Sequence, residues 1–395
     1  MASAMAGGVR ALLVAGLLGL TMGRPVDPSH GNASAPAPDF SIHVFQVGQG
    51  DSQLIRLPSG YTILNDIAEM NWNTCKGGEL VAEKVLAITG SRHIDVGVVS
   101  HWHLDHLGYT GHGGFWCVIE RGLLTFGKLI DRDGAVFRHG GGNNDECTEE
   151  TIEWRNVGTV SGTAINWVCY FSDPASKVHA IREVAVLGSS TQIAPPDAGA
   201  EVTILITDAR GVKMADGTTD VGGDHREDQL PPSENDYCIG LLIRFGDFTY
   251  VTAGDLDGDY AVSTFGYTYN DAETVMAKSN ALAQGVDVLH ANHHGSSHST
   301  NQGLVNRLRP QASFISCGYD NSYGHPAQPV LDRLLASGDV FLPNICDPVR
   351  EYGRSVIANG DVTLTSASGR TFRITGRNHE YVSKLAVHAA AAIRR

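Results

Sequence analysis

The sequence predicts an α/β fold in which sheets are covered by helices. Three observations carry this. Segments of strand period and of helix period alternate along the chain, with no internal repeat. Residues 94–100 form a near-continuous apolar run, as in a strand buried on both faces. Hydrophobic residues make up 42% of 395 positions, ample for a large core and too many for a disordered chain.

The elements follow in order. Residues 42–47, 53–57 and 61–65 read as short strands, with Gly48-Gln49-Gly50-Asp51 turning the first into the second. Residues 79–89 place Leu80, Val81, Val85, Leu86 and Ile88 at helical spacing and stop at Gly90. The strand at 94–100 runs straight into a histidine cluster. Around 110–200, glycine-rich stretches such as Gly140-Gly141-Gly142 alternate with short apolar segments, and this part reads as an insertion. Residues 201–207 read as a strand and 214–235 as a polar, acidic loop. Residues 238–245 and 248–253 make a strand pair with a tight turn at Gly246-Asp247. A helix at 272–284, a strand at 286–289 ending in histidines, a helix near 330–336 and strands near 355 and 362 follow. The Ala-rich stretch 387–395 reads as a frayed helix. The expected main domain is 40–375, with 376–395 as a tail.

The first residues read as an export signal. Arg10 is the only charged residue before Arg24. The apolar run between them is about a dozen residues, too short for a comfortable membrane span. A cleaved signal over 1–23 and a Pro/Ser/Ala-rich leader over 24–39 are expected, which makes the protein secreted or periplasmic; an uncleaved anchor is the alternative. None of the seven cysteines sits in a CxxC pair, so a zinc ribbon or thioredoxin-type motif is not indicated. In an exported chain they are expected as disulfides, with the odd one free or paired between chains. Buried reduced thiols are the alternative. The formal net charge of −14 speaks against a DNA-binding platform, although bound metal would make a site locally positive.

The strongest chemical signal is His101-Trp102-His103-Leu104-Asp105-His106. Imidazoles two residues apart can converge on one ion, and the Asp and His that follow can reach a second. Nitrogen with carboxylate oxygen suits Zn²⁺, with Mn²⁺ or iron as alternatives. His325, in a Tyr-Gly-His-Pro turn, could contact substrate or assist proton transfer, against a purely structural turn. Asp51 and Gln49 could point into the site, or serve plain hairpin geometry. Asp255-Leu256-Asp257-Gly258-Asp259 superficially matches a calcium loop. It has Tyr260 at the sixth position and Gly266 at the twelfth, so that reading fails.

The HxHxDH motif resembles the metallo-β-lactamase superfamily, and the likeness continues along the chain. Ile63-Leu64-Asn65-Asp66 looks like the strand ending in an aspartate that supports the metal site. Thr252-Ala253-Gly254-Asp255 looks like the element whose carboxylate bridges two ions. His293-His294-Gly295-Ser296 looks like the late histidine ligand, with one of the two histidines as ligand and the other near substrate. The resemblance implies an αββα sandwich with one or two ions at the sheet edges. More closely, Phe45-Gln46-Val47-Gly48-Gln49-Gly50-Asp51-Ser52, the His293 to Ser296 motif and the run from Gly318 to Pro326 resemble the soluble metallo-β-lactamase-like domain of ComEC-type competence proteins. In the superfamily a separate histidine completes the first metal site. Here His139, His179 and His225 are candidates by position, and Asn235-Asp236 sits where ComEC-like relatives carry an Asn-Asp element. The first site is therefore open or weak in this reading, and a single tightly bound ion is the alternative to two.

The resemblance implies a hydrolase that uses metal-activated water. His101, His103, Asp105, His106, Asp255, His293 and His294 are its candidate ligands. Asp105, Asp255 and His325 are candidates for catalysis, and Asp51, Asp66, Asn235 and Ser296 for support or substrate contact. The leading substrate class is a phosphodiester: nucleic acid, a nucleotide or a phosphocholine-like ester. A carboxylic ester, lactone or lactam is the second reading, and a metal-containing binding protein without turnover the third.

Overall fold

A computed structural model describes residues 39–67, 74–111, 113–137, 146–217 and 219–387. The expected signal segment, nearly all of the leader, His139 and most of the Ala-rich end lie outside these. Two sheets stack face to face. One runs in the order Tyr381–Val382, Thr371–Ile374, Val362–Ser366, Phe40–Val44, Gln53–Arg56, Thr62–Asn65, His93–Val98, Thr125–Asp131 and Ile181–Val184. The other runs Val356–Ile357, Asp339–Leu342, Ala312–Phe314, Val288–His290, Phe248–Thr252, Gly240–Phe245 and Ala200–Ile206.

Between the sheets lies one apolar layer. Phe40, Ile42, Ile63, Val96 and Val98 of the first sheet meet Val202, Ile204, Leu241, Ile243, Tyr250 and Phe314 of the second. The alternation along each strand sends the intervening residues outward, where helices cover them. Leu54 and Leu64 join Val81, Ala82 and Val85 of the helix Lys76–Thr89, with Trp167 and Val168 of Gly162–Tyr170. On the far side Leu242, Val251 and Leu289 pack with Met276, Leu304, Leu331 and Leu334 from the helices Ala272–Ala277, Gln302–Leu308 and Gln328–Ser337. Helix, sheet, sheet and helix form the expected four layers.

Several elements differ from the sequence reading. The part read as an insertion contributes Thr125–Asp131 and Ile181–Val184 to the first sheet, as parallel neighbours beyond His93–Val98. Their charged residues hid them: Lys128 pairs with Glu183 at 3.1 Å, and Asp131 with Arg182 at 3.0 Å, so sheet positions look polar in sequence. The segment after 375, read as a tail, supplies the strand Tyr381–Val382, whose Tyr381 ring stacks on Phe372 with centroids 4.8 Å apart. The helix expected over 272–284 stops at Ala277 and resumes as a single tight turn, Asn280–Leu282, because Ser279 caps a new start. Three disulfides join Cys75 to Cys117, Cys147 to Cys169 and Cys317 to Cys346, leaving Cys238 as a buried free thiol. No helix among the described residues is long and apolar enough to cross a membrane.

Candidate metal centre

Four strands deliver the site, each at its carboxyl end. His93–Val98 leads to His101 and His103, and the short helix Leu104–Leu107 then carries Asp105 and His106. Phe248–Thr252 leads to Asp255, Val288–His290 to His293 and His294, and Ala312–Phe314 to the loop that holds His325. The last three strands are parallel neighbours, so their ends open on the same edge. Gly254 is required here. Its φ is +53°, and a Cβ would fall 2.6 Å from the Ser100 hydroxyl oxygen.

Among the described residues two donor groups result, and they share one carboxylate. Asp105, His106, Asp255 and His294 each bring one donor atom within 4.8 Å of the others. His101, His103 and Asp255 do the same. His106 Nε2 and His294 Nε2 stand 3.0 and 3.4 Å from Asp255 Oδ1, and His294 Nε2 stands 3.3 Å from Asp105 Oδ2. His101 Nε2 and His103 Nδ1 are 3.0 Å apart.

The surroundings fix which atoms face inward. His106 Nδ1 pairs with Asp66 Oδ2 at 2.9 Å, and Asp66 Oδ1 accepts from the Ser100 amide at 2.7 Å. His294 Nδ1 donates to the Ser316 carbonyl at 2.9 Å. Each ring is thereby turned so that Nε2 is the free nitrogen, the arrangement that metal-binding histidines use. His106 Nε2, His294 Nε2 and Asp255 Oδ1 are buried and make no hydrogen bond within the protein. Buried polar atoms ordinarily find a partner. Three such atoms aimed at one point, in a mixed nitrogen and carboxylate set, fit a divalent transition metal such as zinc.

The electrostatics have the same sense. Burial opposes charge on His106, but Asp255 and Asp66 outweigh it and hold the ring well above the ordinary imidazole value. His294 is likewise raised to about 9 against burial, by Asp255 and Asp105. Burial would raise Asp255, yet His106, His294 and His293 hold it well below the carboxylate range. His101, with burial and two neighbouring imidazoles against it, is depressed. The site attracts positive charge strongly.

His293 lies outside both donor groups. Its Nδ1 sits 3.1 Å from Asp257 Oδ1 and its Nε2 3.6 Å from Asp255 Oδ2, while the Asn235 carboxamide nitrogen is 3.2 Å from Nδ1. Both His293 and His294 have left-handed backbone, with φ of 48° and 53°. Such conformations in non-glycine residues persist where the surroundings over-determine them. The clamp here includes Glu273, whose carboxylate accepts from Asn292 Nδ2 at 2.6 Å and from the Asn301 amide at 2.6 Å.

Other expected residues sort as follows. Asn235 lines the cleft in front of the centre, and its buried Oδ1 has no hydrogen-bond partner. His225 binds Asp228 at 2.8 Å and the Asp220 carbonyl at 2.9 Å, and neither it nor His179 belongs to a donor group. Gln49 lines the cleft, but Asp51 does not. Asp51 is buried behind it, accepting from Gln53 Nε2 at 2.5 Å and Ser316 Oγ at 3.1 Å, and its amide donates to the Asp105 carbonyl at 3.1 Å. Of the two expectations for it, these contacts fit support of the loop. Ser296 lines the cleft beside His294.

His325 faces the cleft, its ring 5.4 Å from that of His293 and 6.0 Å from that of His294. Asn321 holds it in place, accepting from the His325 amide at 2.9 Å and donating to its carbonyl at 2.8 Å. Burial, with His293 and His294 beside it, lowers His325 to about 3. Asp257 beside His293, the Arg132–Glu234 pair and Tyr323 stacked on His325 also shape the surroundings, and none of them was singled out as a site residue in the sequence. Asp257 lay in the discarded calcium-loop pattern, and the i+2 spacing from Asp255 was the available signal.

The cleft has a volume of about 1250 Å³. No family model matches the chain. Over 104 residues the chain is 32% identical to ComE operon protein 3 of Bacillus subtilis (strain 168), covering 26% of this chain and only 12% of that protein's length. A metallo hydrolase from the archaeon Ignicoccus hospitalis has 13% identity and a TM-score of 0.39, over 78% of this chain and 96% of that one. A metallo-beta-lactamase superfamily protein from Thermotoga maritima has 12% identity and a TM-score of 0.29, over 80% and 97%. The four-layer topology is the αββα sandwich that the sequence resemblance to the metallo-β-lactamase superfamily implies, and the candidate donors gather at its sheet edge in the order that resemblance gave.

Proposed function

We propose that this protein is an exported, metal-dependent hydrolase of phosphodiesters. The observation that carries the reading is Asp255, shared by two donor groups, with its Oδ1 and the Nε2 atoms of His106 and His294 buried and without a hydrogen bond. His101 and His103 would hold one ion, Asp105, His106 and His294 the other, and Asp255 both. When bound, such a pair supplies an activated water near neutral pH and polarises the ester, and two ions suit an in-line displacement at phosphorus. The chain's own residues do the rest. Asp66 and Ser316 set the histidine rings, Asp105 orients the attacking water, and His325 and His293 meet the substrate's departing side. Zinc is the favoured metal. The three disulfides support an oxidising destination outside the cytoplasm.

The test is a substrate panel with zinc-loaded protein. Hydrolysis of bis(p-nitrophenyl) phosphate that a chelator abolishes and zinc restores is expected. Turnover of lactones or carboxylic esters without any phosphodiester would overturn the substrate class, and no turnover at full metal occupancy would leave a binding protein. Mass spectrometry of the mature chain, expected to start between residues 23 and 37, tests export.

A further inference from the structure

Two aromatic walls rise from the His293-His294 pair to the cleft mouth. On one side His294, His325 and Tyr323 form a ladder of near-parallel rings, with centroids 6.0 and 5.6 Å apart and interplanar angles of 22° and 24°. On the other, Tyr269 stands 6.5 Å from His293 and contacts Tyr267, which stacks with Phe265 at 14°. Tyr269 also stacks on His298 with centroids 4.7 Å apart. Phe265 is 84% exposed and Tyr323 63%, although both line the cleft. Large rings left open to water at the mouth of a site mark a surface that a ligand covers.

We infer that the cleft takes a nucleotide-sized phosphate ester, its planar base held between the Tyr323 and Phe265 rings while its phosphate faces Asp255. The inference rests on the phosphodiester reading above. Rings in parallel ladders present flat π faces, which stack on a nucleobase whatever its sequence identity. An acyl chain would call for aliphatic walls, and the mouth on both sides is built of rings. A nucleic-acid polymer needs a cationic track for its backbone. Among the described residues that line the cleft, Arg350 is the sole lysine or arginine, and it is occupied by Asp347 at 3.1 Å and by the Gly324 carbonyl at 2.8 Å. With a net charge of −14 around it, the site suits a mononucleotide or dinucleotide.

Calorimetric titration of the zinc-loaded full chain with AMP and with ribose 5-phosphate isolates the base. AMP is expected to bind at least about tenfold more tightly. Tyr323→Leu and Phe265→Leu should each weaken AMP about 5- to 150-fold and leave ribose 5-phosphate unchanged, and Tyr323→Phe should retain AMP binding. Equal affinity for the two compounds overturns the clamp while the phosphodiester reading stands. Binding of neither at full zinc occupancy overturns both.

Discussion

Arg132 and Glu234 meet in a buried, two-pronged ion pair beneath the loop that carries His101 and His103. Arg132 Nε donates to Glu234 Oε1 at 2.7 Å, and Nη2 pairs with Oε2. The Trp102 amide donates to the same Oε1 at 2.9 Å, and the guanidinium lies 4.1 Å from the Trp102 ring centre. Glu234 precedes Asn235, so one pair ties the histidine loop to the opposite rim of the centre.

Removing one partner leaves the other charged and buried. Glu234→Gln is expected to cost about 3–5 kcal/mol in urea denaturation, while the double change Arg132→Met with Glu234→Leu costs far less. Equal losses in the two proteins would show that the hydrogen bond to Trp102, and not the charge, dominates.

Asp66 is fully buried and does not line the cleft, yet its pairing with His106 Nδ1 turns that ring towards the donor group. Asp66→Asn keeps the size and loses the charge. Zinc affinity, measured by competition with a chromophoric chelator, should fall about 10- to 100-fold. Unchanged affinity would remove Asp66 from the centre's support.

Asp255 and His325 should separate cleanly. In Asp255→Asn one oxygen and the charge are gone, so metal content drops and phosphodiester turnover falls by more than the ~100-fold typical of a merely supporting residue. In His325→Ala metal content is expected to equal wild type while kcat falls about 10²- to 10⁴-fold. Metal loss in the histidine variant would make it a ligand, and full activity of the aspartate variant would refute the shared-carboxylate arrangement.

Far from the centre, His43 sets a pH dependence of stability. Burial lowers it from 6.5 to about 4, against the pull of Asp361. The unfolded chain therefore takes up the proton first as pH falls. Stability is full above about pH 6.5, and the loss reaches about 2 kcal/mol at pH 5 and levels off below pH 4. His43→Gln, compared with wild type by urea unfolding at pH 7.5 and 5, should lack this component. Parallel losses in both proteins would assign the acid sensitivity elsewhere.

Much of this was legible in the sequence because strand-end motifs are local. The run before His101, the Gly-Asp after Thr252 and the histidine pair after His290 each announce a strand and its donors together. That His294 and not His293 joins a donor group was not legible, since its orientation depends on the Ser316 carbonyl, just past the strand Ala312–Phe314. Asp51 was ambiguous for the same reason: its partners, Gln53 and Ser316, come from different sheets. The strands Thr125–Asp131 and Ile181–Val184, at the end of the first sheet, were missed because their ion pairs put charge where a strand is expected to be apolar.

The donors come from both halves of the sandwich. His101, His103, Asp105 and His106 follow a strand of the first sheet, and Asp255 and His294 follow strands of the second. An ion held there is a rivet through the seam between the sheets, so loading and folding become a single equilibrium. Free zinc at a hundredfold over its dissociation constant would add about 2.7 kcal/mol to the folded state. In an environment where metal is scarce, the supply of ion would then set the protein's survival against proteases as well as its turnover.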